Sequence, residues 1–128
     1  MTTNPCKLIA CLLCIALVLG IASVAMASPH LAWQTERVYY DNHGRIVVEG
    51  YFYNNGTRTV TWVNRHDLQV YFRQVNTNWW HHASASYYDL SVYLAPGDSI
   101  RWTFRITNVE YAYFDYWHVK WNVNYNYR

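Results

Sequence analysis

Beyond residue 28 the hydrophobic and polar positions alternate with a period of two. In Ser99–Ile106, Ile100, Trp102, Phe104 and Ile106 alternate with Arg101, Thr103 and Arg105. Strict alternation of this kind predicts a strand with one dry and one wet face. Ile46, Val48 and Phe52 alternate in the same way with Arg45, Glu49 and Tyr51. Leu68, Val70 and Phe72 alternate with Gln69, Tyr71 and Arg73. Leu90, Val92 and Leu94 enclose Ser91 and Tyr93, and Trp117, Val119, Trp121 and Val123 enclose His118, Lys120 and Asn122. These apolar members, from Ile46 through Ile106, are the predicted core, Trp102 among them.

Turn residues separate the runs. Asp41-Asn42-His43-Gly44 and Asn54-Asn55-Gly56-Thr57 carry the Asn and Gly that hairpin turns require. Ala95-Pro96-Gly97-Asp98 combines a fixed φ at Pro with a positive φ at Gly. No stretch of ten residues has a helical period. The expected strands are Trp33–Tyr40, Arg45–Asn54, Thr57–Asn64, Asp67–Gln74, Trp79–Tyr88 joined to Leu90–Leu94, Ser99–Thr107 and Tyr113–Tyr125. About seven short antiparallel strands predict an all-β, immunoglobulin-like β-sandwich, with a small barrel as the competing topology. The Trp33 strand alternates poorly and is expected at an edge.

The first 27 residues follow a different pattern. Lys7 precedes an apolar run from Leu8 to about Met26, which ends in Ala25-Met26-Ala27. A positive start, an apolar stretch and a small-x-small site predict a secretory signal peptide cut after Ala27. An uncleaved anchor is the alternative, because the run is about as long as a membrane span. Cys6, Cys11 and Cys14 all fall in this leader, so residues 28–128 form one cysteine-free domain. Leu8-Ile9-Ala10-Cys11 resembles a lipidation box but precedes the apolar stretch instead of following it.

Charge adds little. The formal net charge is +2, and Lys7 supplies one unit of it. That balance offers no field for nucleic acid, and a cleaved domain needs no membrane. Aromatic content changes the picture more. Seven Trp and thirteen Tyr lie beyond the leader, too many for the core of a domain this small. On the alternating register Tyr51, Tyr53, Tyr71, Tyr93, Phe114 and Tyr116 face away from that core. Such rings suit a hot-spot patch for a protein partner or stacking on sugar faces. The plainer reading is cross-strand pairing that stiffens the sheet. The expected binding patch joins Tyr51, Tyr53 and Tyr71 and is extended by Trp79 or Trp80, one of which enters the core while the other stays exposed.

Other chemistry is weakly encoded. His81-His82 would need a third ligand such as His66, Asp67 or His118, and neighbouring strand residues point to opposite faces. No metal or other cofactor is expected. Ser84 or Ser86 beside His82 lacks a nucleophile elbow, and the acids are scattered singly, so no enzyme activity is expected. Asn55-Gly56-Thr57 matches a glycosylation acceptor and reads first as a turn.

Two segments carry a family resemblance. Asp41-Asn42-His43-Gly44-Arg45-Ile46-Val47-Val48-Glu49-Gly50-Tyr51-Phe52-Tyr53-Asn54 is similar to the acidic-x-x-Gly, apolar strand, Gly-x-Phe-x-Asn opening of SLAP domains. Ala83 to Leu90, followed by Leu94-Ala95-Pro96-Gly97-Asp98-Ser99-Ile100-Arg101-Trp102-Thr103-Phe104, resembles their later Leu-x-Pro-Gly-x-Ser-x-x-Trp-x-Phe segment. SLAP domains are small immunoglobulin-like modules of bacterial surface-layer and cell-envelope proteins. The resemblance, over roughly residues 33–107, implies a fold and an extracellular setting and supplies no catalytic residues. The sequence thus predicts a secreted or envelope-associated binding or structural module. Its expected partner is an envelope or extracellular protein, or alternatively a glycan.

Overall fold

A computed structural model describes residues 28–128. The leader reading, with its three cysteines, lies outside the described residues. Among the described residues six strands follow one another without a helix: β1 (Leu31–Tyr40), β2 (Ile46–Asn54), β3 (Val60–Arg73), β4 (Trp80–Leu90), β5 (Ser99–Ile106) and β6 (Tyr116–Tyr127). They form two antiparallel three-stranded sheets, ordered β1-β2-β5 and β4-β3-β6. Apolar residues from both sheets meet in one core, an arrangement consistent with a β-sandwich.

Six strands replace the expected seven for a local reason. The polar run Asn64-Arg65-His66-Asp67 looks like a break, but it contains no Gly or Pro. The chain passes through it as one 14-residue strand, β3. The register against β6 slips between Val60 and Trp62 and again between Val63 and Arg65. At the second slip the Asn64 amide donates to the side-chain oxygens of Asn124 and Asn126, each at 2.9 Å. Bulges of this kind absorb a residue that breaks the alternation. Leu90–Leu94 also adds no ladder of its own. Asp89 has a φ of 57°, β4 ends at Leu90, and Leu94 makes only an isolated bridge to Val60.

The predicted core is largely in place. Ile46, Val48, Phe52, Leu68, Val70, Phe72, Val92, Leu94, Phe104 and Ile106 are buried. Leu90, Ile100 and Trp102 are only half-buried and pack against the rim of the core. The large central ring is Trp33, on edge strand β1 and only 2% exposed. β1 bulges between Thr35 and Arg37, which disguises its alternation in sequence. Trp33 lies edge-on to Phe52 at 4.9 Å and to Phe104 at 5.3 Å between ring centroids, and its Nε1–H donates to the Thr35 hydroxyl at 2.7 Å.

Gly50 permits this packing. A Cβ at Gly50 would stand 2.0 Å from the Gln34 carbonyl oxygen and 2.9 Å from the Trp33 ring. Four residues on, Asn54 is buried with its hydrogen bonds made, as a polar group inside a core must be. Its amide donates to the carbonyls of Arg58 (2.7 Å) and Leu94 (2.9 Å), and its Oδ1 accepts from Gly56 N–H. Its backbone carbonyl accepts from Gly97 N–H at 2.8 Å. Gly97 has a φ of 87°, so the Pro96-Gly97 turn is fastened to the end of β2. Tyr87 joins the sheets elsewhere: its hydroxyl donates to the Arg105 carbonyl at 2.6 Å, and burial pushes the phenol up to about 12.

His66 is the exceptional core residue. It is fully buried among Trp33, Phe52 and Phe104, and neither ring nitrogen has a hydrogen-bond partner of good geometry. Burial lowers it to about 4, with the Asn122 backbone and Asp67 acting weakly the other way. The imidazole is therefore neutral in the folded chain.

Two outcomes follow from this core. Trp33→Ala should cost about 3–5 kcal/mol in chemical denaturation, whereas rim-bound Trp102→Ala should cost about 1–2 kcal/mol. Equal costs would contradict the burial difference. Stability should also depend on pH through His66. The unfolded chain takes up a proton below about pH 6.5 while the folded chain refuses it until about pH 4. The contribution is present above pH 6.5 and declines as pH falls through that window, by about 3 kcal/mol in total. Urea titrations between pH 7 and 4 should show this slope in the wild type and its loss in His66→Leu. A slope unchanged in that variant would assign it to other groups.

Candidate functional site

The alternation that builds the core also lays out a regular outer face on the β4-β3-β6 sheet. Central strand β3 contributes Arg65, Asp67, Gln69, Tyr71 and Arg73. On the β6 side these stand opposite Asn124, Asn122, Lys120, His118 and Tyr116. On the β4 side Arg65, Asp67, Gln69 and Tyr71 stand opposite Tyr88, Ser86, Ser84 and His81, and Trp79 extends that edge beside Arg73. Tyr71, Trp79, His118 and Lys120 enclose an open depression of about 430 Å3.

The rings and cations here are in mutual contact. The Lys120 ammonium lies 4.9 Å from the Tyr71 ring centroid, and the Arg73 guanidinium lies over both Trp79 (5.4 Å) and Tyr116 (4.7 Å). Tyr71 meets the His81 ring edge-on at 5.3 Å, and Trp79 meets His118 at 6.2 Å. Trp79 remains 46% exposed. Further along the face Asp67 accepts from the Ser86 hydroxyl at 2.5 Å and the Arg65 Nε–H at 2.8 Å, which together hold its carboxyl below its usual value.

The expected binding residues divide. Tyr71 and Trp79 share this face. Trp80 turns inward and packs edge-on against Phe72 at 6.1 Å. Tyr51 and Tyr53 belong to β2, in the other sheet, where their rings pair with each other at 5.8 Å. The single patch expected from Tyr51, Tyr53 and Tyr71 does not form. β2 and β3 are consecutive in the chain, but the connection between them crosses from one sheet to the other. Phe114, also expected outside, stacks on Phe72 at 4.0 Å and closes one end of the core. Lys120 and Arg73 were missed as site residues, and His118 was considered only as a metal ligand. Their outward direction was readable from the alternation, but the pairing of β3 with β6 was not.

The histidine pair has other work. His82 sits at a slip in the β3–β4 register and stacks on Phe72 at 4.8 Å. Its Nε2 lies 2.8 Å from the Glu110 carbonyl oxygen, which can only accept, so Nε2 carries the proton. The Tyr40 hydroxyl donates to the same carbonyl and accepts from Ala112 N–H at 3.0 Å, fixing the loop before β6. That nitrogen is thereby committed away from Ser84 and Ser86. Among the described residues no group of three or more His, Cys, Asp or Glu is gathered as a metal site.

Four other rings at the surface are covered by arginines. Arg37 lies over Tyr39, Arg58 over Tyr127, Arg65 over Tyr88 and Arg128 over Tyr93. These are the stiffening pairs of the plainer reading. The Tyr71–Trp79 region differs because its rings and cations border open space. The chain matches no protein-family model, and no curated protein is significantly similar to it in sequence.

Proposed function

We propose that the protein is a non-enzymatic binding module of the cell exterior or envelope that takes carbohydrate on the outer face of the β4-β3-β6 sheet. The observation that carries this reading is the exposed Trp79 ring beside Tyr71, bordering an open depression on a face that also carries amides, hydroxyls and charged side chains. Gln69, Ser84, Ser86, Asn122 and Asn124 are all exposed there. A sugar offers an apolar ring face to an aromatic platform and hydroxyls to surrounding donors and acceptors. A protein partner would instead need a broad apolar centre, and the division of Tyr51 and Tyr53 from Tyr71 removes the patch that was to supply it.

The leader pattern of residues 1–27 supports export, and the absence of cysteine from residues 28–128 is compatible with it. The SLAP resemblance supports an immunoglobulin-like module of the envelope. Its motif residues have physical roles here: Gly50 allows the close approach of β1, Phe52 fills the core, and Asn54 fastens the Pro96-Gly97 turn.

A panel of immobilised polysaccharides tests this function. Wild-type protein should be retained, and Tyr71→Ala/Trp79→Ala should weaken retention about tenfold, since each stacked ring is worth roughly 0.5–1.5 kcal/mol. Far-UV circular dichroism should be unchanged in the variant. Retention on no polysaccharide, with capture of an envelope protein that the same double change abolishes, would replace the carbohydrate reading with protein binding.

A further inference from the structure

Resting on the carbohydrate reading above, we propose that the ligand is an acidic polysaccharide, one whose pyranose rings carry carboxylates. Charge complementarity on the sheet face points to it. The four ion pairs among the described residues join Arg37 to Glu49, Arg45 to Asp41, Arg65 to Asp67 and Arg101 to Glu36. Arg73 and Lys120 belong to none of them. Arg73 lies over Trp79 and Tyr116 and Lys120 over Tyr71, and neither has a carboxylate partner among the described residues.

These two cations flank Tyr71. Arg73 follows it by two residues on β3, and Lys120 stands opposite Gln69, two residues before it. Strand geometry separates the two positions by about 14 Å, with the Tyr71 row between them. The three successive rows centred on Arg73, Tyr71 and Gln69 contain no acidic side chain. The first acid along the face is Asp67, already held by Arg65 and Ser86. Asp115, next to Tyr116 in the chain, spends its oxygens on Val75 N–H and the Tyr113 hydroxyl.

The depression has the chemistry of one sugar acid. Two of its four lining residues are rings, one is an imidazole and one is the Lys120 ammonium. A pyranose stacked on Trp79 would bring a carboxylate on its ring toward Lys120 and His118. The depression is open, and Gln69, Ser84, Asn122 and Ser86 continue beyond it along the sheet. That continuation suits a chain of sugars better than a single one.

Affinity electrophoresis tests this with protein produced from its full sequence. The gels contain polygalacturonate, its fully methyl-esterified form or polyglutamate. Polygalacturonate should retard the protein, and the ester should bind about tenfold more weakly, as expected for loss of a charge-assisted contact. Lys120→Gln should weaken polygalacturonate binding by a similar factor, Lys120→Arg should retain it, and about 0.5 M salt should reduce it. Equal retardation by the acid and its ester, abolished by Trp79→Ala, would overturn the acidic assignment while leaving the carbohydrate reading intact. No retardation by either sugar polymer would overturn this assignment, and blank results across the neutral panel as well would overturn both. Polyglutamate binding as strongly as polygalacturonate would assign the face to acidic polypeptides instead. Retardation unaffected by Lys120→Gln would move the ligand off this face.

Discussion

The approach of β1 onto β2 at Gly50 is the contact on which the rest of the structure depends. The Gln34 carbonyl occupies space that any side chain at position 50 would need. That proximity goes with the bulge at Thr35–Arg37 and lets Trp33 lie within the core. Trp33, Phe52, Phe104 and His66 then meet edge to face, with no disulfide among residues 28–128 to reinforce them. A domain of this size can bury a workable core without such staples, and here a dense cluster of rings fills it. The cost is a buried imidazole without hydrogen bonds, tolerable because the ring is neutral at ordinary pH.

Much of the fold was legible wherever the period of two ran unbroken. β2, β5 and the second half of β3 could be read face by face, because each side chain points opposite to its neighbour. The misreadings fall at irregularities. The bulge in β1 hid Trp33, and the polar run 64–67 hid the continuity of β3, since a buried His with polar neighbours looks like a turn. Rim residues such as Trp102 share the pattern of core residues, and pattern alone does not distinguish the centre of a sheet from its margin.

The candidate site was legible in smaller part. Tyr71 and Trp79 stand out because large rings on outward positions are conspicuous. Lys120 and His118 become neighbours of Tyr71 only through the pairing of β3 with β6, a contact between residues about fifty apart in the chain that no local rule specifies. The same non-local choice assigns β2 and β3 to different sheets and so divides the tyrosines. The rings of the candidate site and the other cation-covered rings look alike in sequence. They part company only where folding leaves Tyr71, Trp79 and Lys120 bordering an open depression.

Ser28 and Arg128 are tied to one short segment. The carbonyls of Ser28 and His30 accept from Thr57 and Asn55 N–H, and Arg128 N–H donates to the Thr59 carbonyl. The Arg58 guanidinium reaches the Arg128 carbonyl as well. This segment leads into β3, whose other end carries Tyr71 and Arg73. Eleven residues of strand separate Val60 from Tyr71, a span of roughly 35 Å. Anything joined to the domain at either position would therefore hold it by one pole, with Trp79 and its neighbours at the far pole, outstretched from the point of attachment and clear of the tether.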